Sequence, residues 1–71
     1  MKLIKLVDNL NYKCGFVIVN PEHISFVLPF DLDLKKSLLI VRYGLPENFI
    51  KTFEFGISPD DLSSRINQLS N

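Results

Sequence analysis

The sequence predicts an α+β fold that is mainly β, with about five antiparallel strands in a sheet or partial barrel and one C-terminal helix at about 59–69. Short runs of β-branched and aromatic residues recur along the first 55 positions, which is typical of strands. Clusters of Asn, Asp, Gly and Pro separate these runs and indicate turns. The last run instead repeats its apolar residues at helical spacing.

The N-terminal part of the chain predicts a hairpin. Residues 1–7 alternate imperfectly as a first strand, and the polar segment 8–11 favours a reversal. Residues 12–19 form the second strand, in which Gly15 indicates a bulge or a close approach of backbones. Pro21 has no N–H to donate to a ladder, so the chain is expected to turn a corner there.

A short third strand and a loop are expected next. Residues 23–28 alternate, which places Ile24, Phe26 and Leu28 on one face. Residues 30–36 carry four charged side chains, and we interpret this segment as a loop.

The most strand-like segment is 37–43, because four apolar residues are contiguous within it. A strand with two apolar faces is expected to lie at the centre of a sheet, or to present one face to a partner. A turn at 44–48 leads to a fifth strand at 49–55, which places three phenylalanines on one face, namely Phe49, Phe53 and Phe55.

The C-terminal segment has the features of a helix start. Ser58 is a suitable cap, Pro59 suits the first helical position, and the two aspartates that follow suit the positive end of the helix dipole. An apolar stripe follows at helical spacing and is expected to cover the sheet. Its members are Leu62, Ile66 and Leu69.

The composition favours self-association. The 71 residues allow one domain, 1–71, yet 46% of them are hydrophobic and 23% are charged, which is more apolar material than so small a body can hide. Cys14 is the sole cysteine and His23 the sole histidine, so neither a disulfide nor a four-ligand zinc site is available. Oligomerisation remains as the usual means of stabilising a small domain, with no metal or cofactor expected.

Charge and hydropathy suggest a cytoplasmic protein. Lys5 and Asp8 interrupt the N-terminal apolar run, so we expect no secretory signal, and no stretch reaches the roughly 18 apolar residues of a membrane span. Eight basic residues balance eight acidic ones, which makes nucleic-acid binding unfavoured.

The sequence gives little indication of catalysis. We interpret His23 as a surface or structural residue and Cys14 as an inert, buried thiol; a hydrolase that uses His23 with Cys14 or Ser25 is the weakest reading. Asp31 and Asp33 are expected to serve solubility, and three glycines are too few for a phosphate-binding loop. We therefore expect that the protein is not an enzyme.

The leading hypothesis is a small interaction module that self-associates and modulates a larger protein partner, as a bacterial or phage accessory protein does. Aromatic residues and arginine are enriched at interface centres. On that basis the predicted interface comprises Phe26, Leu38, Ile40, Arg42, Tyr43 and Phe53. The alternative is a nucleic-acid or nucleotide-like ligand binder that uses scattered Lys and Arg with strand aromatics. Those aromatics are Tyr12, Phe16, Phe26 and Tyr43.

The segment 19–27 contains an Asn20-Pro21-Glu22-x-Ile24 corner between two strands. This corner resembles that of the FlbD-like small flagellar family, and the order of elements is similar over most of residues 1–69. The resemblance implies the same strand-rich fold with a C-terminal helix. It also implies a non-enzymatic accessory role, since that family has no catalytic residues to carry over.

Overall fold

The computed structural model describes residues 2–43 and 49–71, without the side chains of Asp33 and Tyr43. The described residues form five strands, one short 3-10 helix and one α-helix, which confirms the predicted fold class. In chain order they are β1 (Ile4–Val7), β2 (Phe16–Val19), the 3-10 helix (Pro21–His23), β3 (Ile24–Phe30), β4 (Asp33–Tyr43), β5 (Phe49–Phe55) and α1 (Pro59–Ser70). None of the helices in this part of the chain is long and apolar enough to cross a membrane.

The strands form two antiparallel sheets. β1 pairs with β2, and the second sheet has the order β3-β4-β5, so the predicted central strand is central. The segment after β1 joins the two sheets through an isolated bridge between Asn9 and Phe55. Two backbone hydrogen bonds flank this bridge: Leu10 N–H donates to the Glu54 carbonyl at 2.8 Å, and Gly56 N–H donates to the Asp8 carbonyl at 2.9 Å.

The core lies between the two sheets and the helix. Alternate residues of β1, β2, β4 and β5 point into it, because successive side chains of a strand face opposite ways. The buried apolar set is Ile4, Leu6, Val17, Val19, Leu39, Val41, Phe53, Phe55 and Leu62. Leu62 closes this core from the helix and Ile66 packs against it, whereas the third member of the predicted stripe, Leu69, is exposed.

The predicted helix start is confirmed. The Oγ of Ser58 accepts a hydrogen bond from the N–H of Asp61 at 3.2 Å, and Pro59 occupies the first turn. This cap satisfies one of the N–H groups that the first turn of a helix leaves without an intrahelical partner. The helix therefore begins at the position from which Leu62 reaches the core.

A buried asparagine organises the turn between β1 and β2. The Oδ1 of Asn9 accepts from the N–H groups of Asn11 and Tyr12, both at 3.1 Å, and its Nδ2 donates to the carbonyl of Glu54 at 3.3 Å. The Oδ1 of Asn11 in turn accepts from the N–H of Glu54 at 2.6 Å. The turn at 8–11, predicted as a simple reversal, thus also ties the first sheet to the edge of β5.

The interpretation of residues 30–36 as a loop is wrong. β3 extends to Phe30 and β4 begins at Asp33, so a two-residue turn joins them, in which Asp31 adopts a φ of 55°. The cross-strand pairs pass directly from Pro29–Ser37 to Phe30–Asp33, which leaves 34–36 as a bulge in β4. A hairpin that projects into solvent tolerates charged side chains, so their number did not indicate a loop.

Three further predictions need correction. Ile24 does not share a face with Phe26, because the register shifts at Ser25: Ile24 pairs with Val41 and packs on the core, while Phe26 pairs with Ile40. The strands predicted at 1–7 and 12–19 are shorter, and Gly15, with a φ of 77°, lies before β2 rather than inside it. The predicted turn at 44–48 lies outside the described residues.

Candidate interaction surface

The sheet β3-β4-β5 has one face that the core does not use. The register aligns Phe26, Ile40 and Thr52 in one row across the three strands. Since directly paired residues point to the same side of a sheet, and the neighbouring row of Val27, Leu39 and Phe53 points into the core, this row points away from it. We call the resulting surface the outer face. It consists of Phe26, Leu28, Leu38, Ile40, Arg42, Ile50, Thr52 and Glu54.

Apolar side chains occupy most of the outer face. Phe26 is 58% exposed and Ile50 is 54% exposed, and Leu28 is also exposed. Leu38 and Ile40 are half-buried, because they lie on the central strand between the side chains of β3 and β5. The four residues of β3 and β4 form two adjacent cross-strand pairs, and Ile50 lies diagonally across from Ile40, so the apolar patch extends onto all three strands. Such a patch differs from the isolated apolar residues that any protein surface carries.

Four of the six predicted interface residues meet on this surface. Phe26, Leu38, Ile40 and Arg42 all belong to the outer face. Phe53 does not: it pairs with Leu39, points into the core and is 5% exposed. The backbone of Tyr43 pairs with Phe49, and its side chain lies outside the described residues.

Four outer-face residues were absent from the predicted interface: the apolar Leu28 and Ile50 and the polar Thr52 and Glu54. The alternation of 49–55 already separated Ile50 from the phenylalanines of the same strand. What the sequence lacked was the register, because a shift of one residue sends every side chain to the opposite face. The pairing of Ile50 with Arg42, and of Leu28 with Leu38, places both residues at the predicted patch.

Two opposite charges lie on the outer face at its two ends. Arg42 is exposed and pairs with Ile50, whereas Glu54 is half-buried and pairs with Leu38. They are four residue positions apart along the strand direction, or about 13 Å, which is too far for an ion pair within one molecule. In the described residues the salt bridge joins Arg65 to Asp8 at 2.7 Å, and neither Arg42 nor Glu54 has such a partner.

The sheet β1-β2 also has an outward side, but a narrower one. Ile18 is 57% exposed there, and the Nζ of Lys5 lies 4.3 Å from the centre of the Phe16 ring. The ammonium group of Lys5 thus lies over the face of the Phe16 ring, where an apolar partner would otherwise make contact. Three apolar side chains lie on this side, Val7, Phe16 and Ile18, against five on the outer face.

Of the residues considered for catalysis, Cys14 and His23 lie beyond opposite ends of β2. Cys14 is exposed, contrary to the prediction of a buried thiol, and its Sγ–H donates to the carbonyl of Phe16 at 3.4 Å. Cys14 precedes β2 and His23 follows it, so a strand of four residues, about 13 Å long, separates them. The described residues contain no group of three His, Cys, Asp or Glu side chains that could hold a metal ion.

The aromatic residues of the ligand-binding alternative lie on separate surfaces. Tyr12 packs against Phe53, with ring centres 6.1 Å apart, and the Nζ of Lys51 lies near both rings. Phe16 belongs to the outward side of β1-β2, and Phe26 belongs to the outer face. These three rings do not form one stacking platform, and the alternative stays a prediction.

Comparison with known proteins adds no relative: no family model, no curated protein and no solved structure matches the chain. The resemblance to the FlbD-like family therefore stays a prediction.

Proposed function

We propose that this protein is a small, non-enzymatic interaction module that self-associates through its outer face and modulates a larger protein partner. The observation that supports the proposal is the continuous apolar patch of Phe26, Leu28, Leu38, Ile40 and Ile50 on a face that the core does not use. Large exposed apolar patches on small domains mark interaction sites. The balanced charge of eight basic and eight acidic residues favours protein partners over nucleic acid.

Phe26 is the exposed aromatic residue of the outer face. An aromatic side chain buries about 150–250 Å² when covered, so the 58% of Phe26 that is exposed corresponds to roughly 100 Å² of surface in contact with water. At about 25 cal/mol per Å², covering this ring alone stabilises a complex by roughly 2–3 kcal/mol before the entropy of association is subtracted. Together with the aliphatic residues around it, the ring gives the face an apolar centre.

A matched pair of substitutions tests the proposal. Ile40→Asp places a carboxylate at the middle of the outer face, and Ile18→Asp makes the same change at an exposed position on the other sheet. Sedimentation equilibrium should show that the wild type and Ile18→Asp associate as concentration rises. Ile40→Asp should stay at the monomer mass of 8.2 kDa.

Far-UV circular dichroism on both variants controls for unfolding. A wild type that stays monomeric up to millimolar concentration would refute self-association. A wild type that associates equally well with Asp at position 40 would show that another surface carries the contact.

A further inference from the structure

The size of the outer face limits what it can bind. Three strands at about 4.8 Å spacing, and five residue positions at about 3.3 Å each, give a face of roughly 14 by 17 Å. Two such faces have a flat area of roughly 500 Å² in total, below the roughly 1,200 Å² at which standard specific interfaces begin, so a contact limited to this face is expected to be weak. A second copy supplies a face of the same size and apolar character, with the same two charges at its ends.

Two copies can pack these faces together around a two-fold axis in two ways. Stacked sheets lie about 10 Å apart with their strands aligned to within about 30°. If the axis runs along β4, each residue of β4 faces its own position in the second copy, β3 faces β5, and the strands of the two copies run in the same direction. If the axis instead crosses the strands through the row of Phe26, Ile40 and Thr52, the strands of the two copies run in opposite directions.

The charges of the face distinguish these arrangements. With the axis along β4, Arg42 faces Arg42 of the second copy, and like charges placed together in an interface cost several kcal/mol. With the axis across the strands, Arg42 lies over Leu38 of the second copy, directly beside its Glu54, because Leu38 and Glu54 are paired. The lateral offset is about 4.8 Å, and two long side chains span the gap between the sheets.

We infer that the partner of the outer face is a second copy of this chain, packed face to face with antiparallel strands about a two-fold axis through Ile40. Phe26, Ile40 and Thr52 then meet their own counterparts on the axis. Arg42 and Glu54 pair across the interface, and the symmetry forms this pair twice. The inference rests on the proposed function and adds the symmetry and register of the contact between the two copies.

A charge exchange tests the register. Arg42→Glu and Glu54→Lys should each raise the dissociation constant of the dimer at least about tenfold, because each places like charges together twice in the symmetric interface. The double variant should return it to within about threefold of wild type. Lys13→Glu and Glu22→Lys make the same charge changes at exposed positions off the face and should leave it unchanged.

Sedimentation equilibrium measures these constants, and circular dichroism checks that each variant is folded. A double variant as weak as either single variant would overturn the inferred register, and so would single variants that dimerise like wild type. If Ile40→Asp still abolishes association in either case, the proposed function stands and the register alone fails. A monomeric wild type refutes both.

Cross-linking provides a second test that does not depend on charge. In a Cys14→Ser background, Ile40→Cys should cross-link to its counterpart with a short bismaleimide, since the two positions meet on the axis. Arg42→Cys should not cross-link to its counterpart, because the two positions are about 13 Å apart along the strands. Efficient cross-linking at position 42 would show that the strands run the same way and would overturn the inference.

Discussion

Asn9 is a buried polar side chain at the junction of the two sheets, and its truncation to alanine gives a quantitative test. The side chain is 4% exposed and holds the N–H groups of Asn11 and Tyr12 on its Oδ1. Its Nδ2 reaches the carbonyl of Glu54, across the junction between the sheets. Asn9→Ala removes the two hydrogen bonds that hold the turn together with the bond to Glu54.

The expected loss follows from these bonds. Two N–H groups lose their acceptor, and each lost hydrogen bond costs about 1 kcal/mol where water can partly replace it. The lost link to Glu54 adds a similar amount, so the free energy of unfolding should fall by about 2–3 kcal/mol. For a domain of 71 residues the total is about 4–10 kcal/mol, so the variant should remain folded at 25 °C. Its melting temperature should fall by about 10–20 °C.

Urea and thermal unfolding followed by far-UV circular dichroism measure this change. The samples should be dilute enough to stay monomeric, because association adds to apparent stability. Asn67→Ala, at an exposed helix position, is the control and should change the free energy by less than about 0.5 kcal/mol. If Asn9→Ala lowers the free energy of unfolding by less than about 0.5 kcal/mol, the role assigned to the turn is refuted.

Two further predictions concern the two faces of the central sheet. Phe53→Ala should lower the free energy of unfolding by about 3–5 kcal/mol because it empties part of the core. Phe26→Ala should change monomer stability by less than about 1 kcal/mol and weaken association instead. Urea unfolding measures the first effect and sedimentation the second, and equal losses of monomer stability would contradict the assignment of faces. Ser37 is fully buried, and its hydroxyl has no hydrogen-bond partner among the described residues. Ser37→Ala should therefore be neutral or stabilise by up to about 1 kcal/mol in the same unfolding assay, and a clear loss would show that the hydroxyl is bonded.

The sequence predicted those parts of the fold that local chemistry determines. The helix start follows from Ser58 and Pro59, whose cap and first-turn preferences act within a few residues. The alternation of β5 separates Phe53 and Phe55 from Ile50 without knowledge of any partner strand. The centrality of β4 followed from its contiguous apolar residues, which fill both of its faces.

The errors arose where pairing between distant segments determines the structure. The register shift at Ser25 turns Ile24 towards the core, and no feature of the segment itself indicates it. Phe53 was placed in the interface because aromatic residues are common there, yet its pairing with Leu39 directs it inward. The link from Asn9 to Glu54 spans 45 positions, beyond the reach of any local pattern.

The most direct test of the outer face is a measurement of methyl solvent exposure by NMR with a soluble paramagnetic agent, at low and at high protein concentration. If the copies associate through the outer face, the methyl groups of Leu38, Ile40 and Ile50 should become protected as concentration rises, while those of Ile18 stay exposed. Protection of Ile18 instead, or no change in the outer-face methyl groups in a sample that has associated, would refute association through this face.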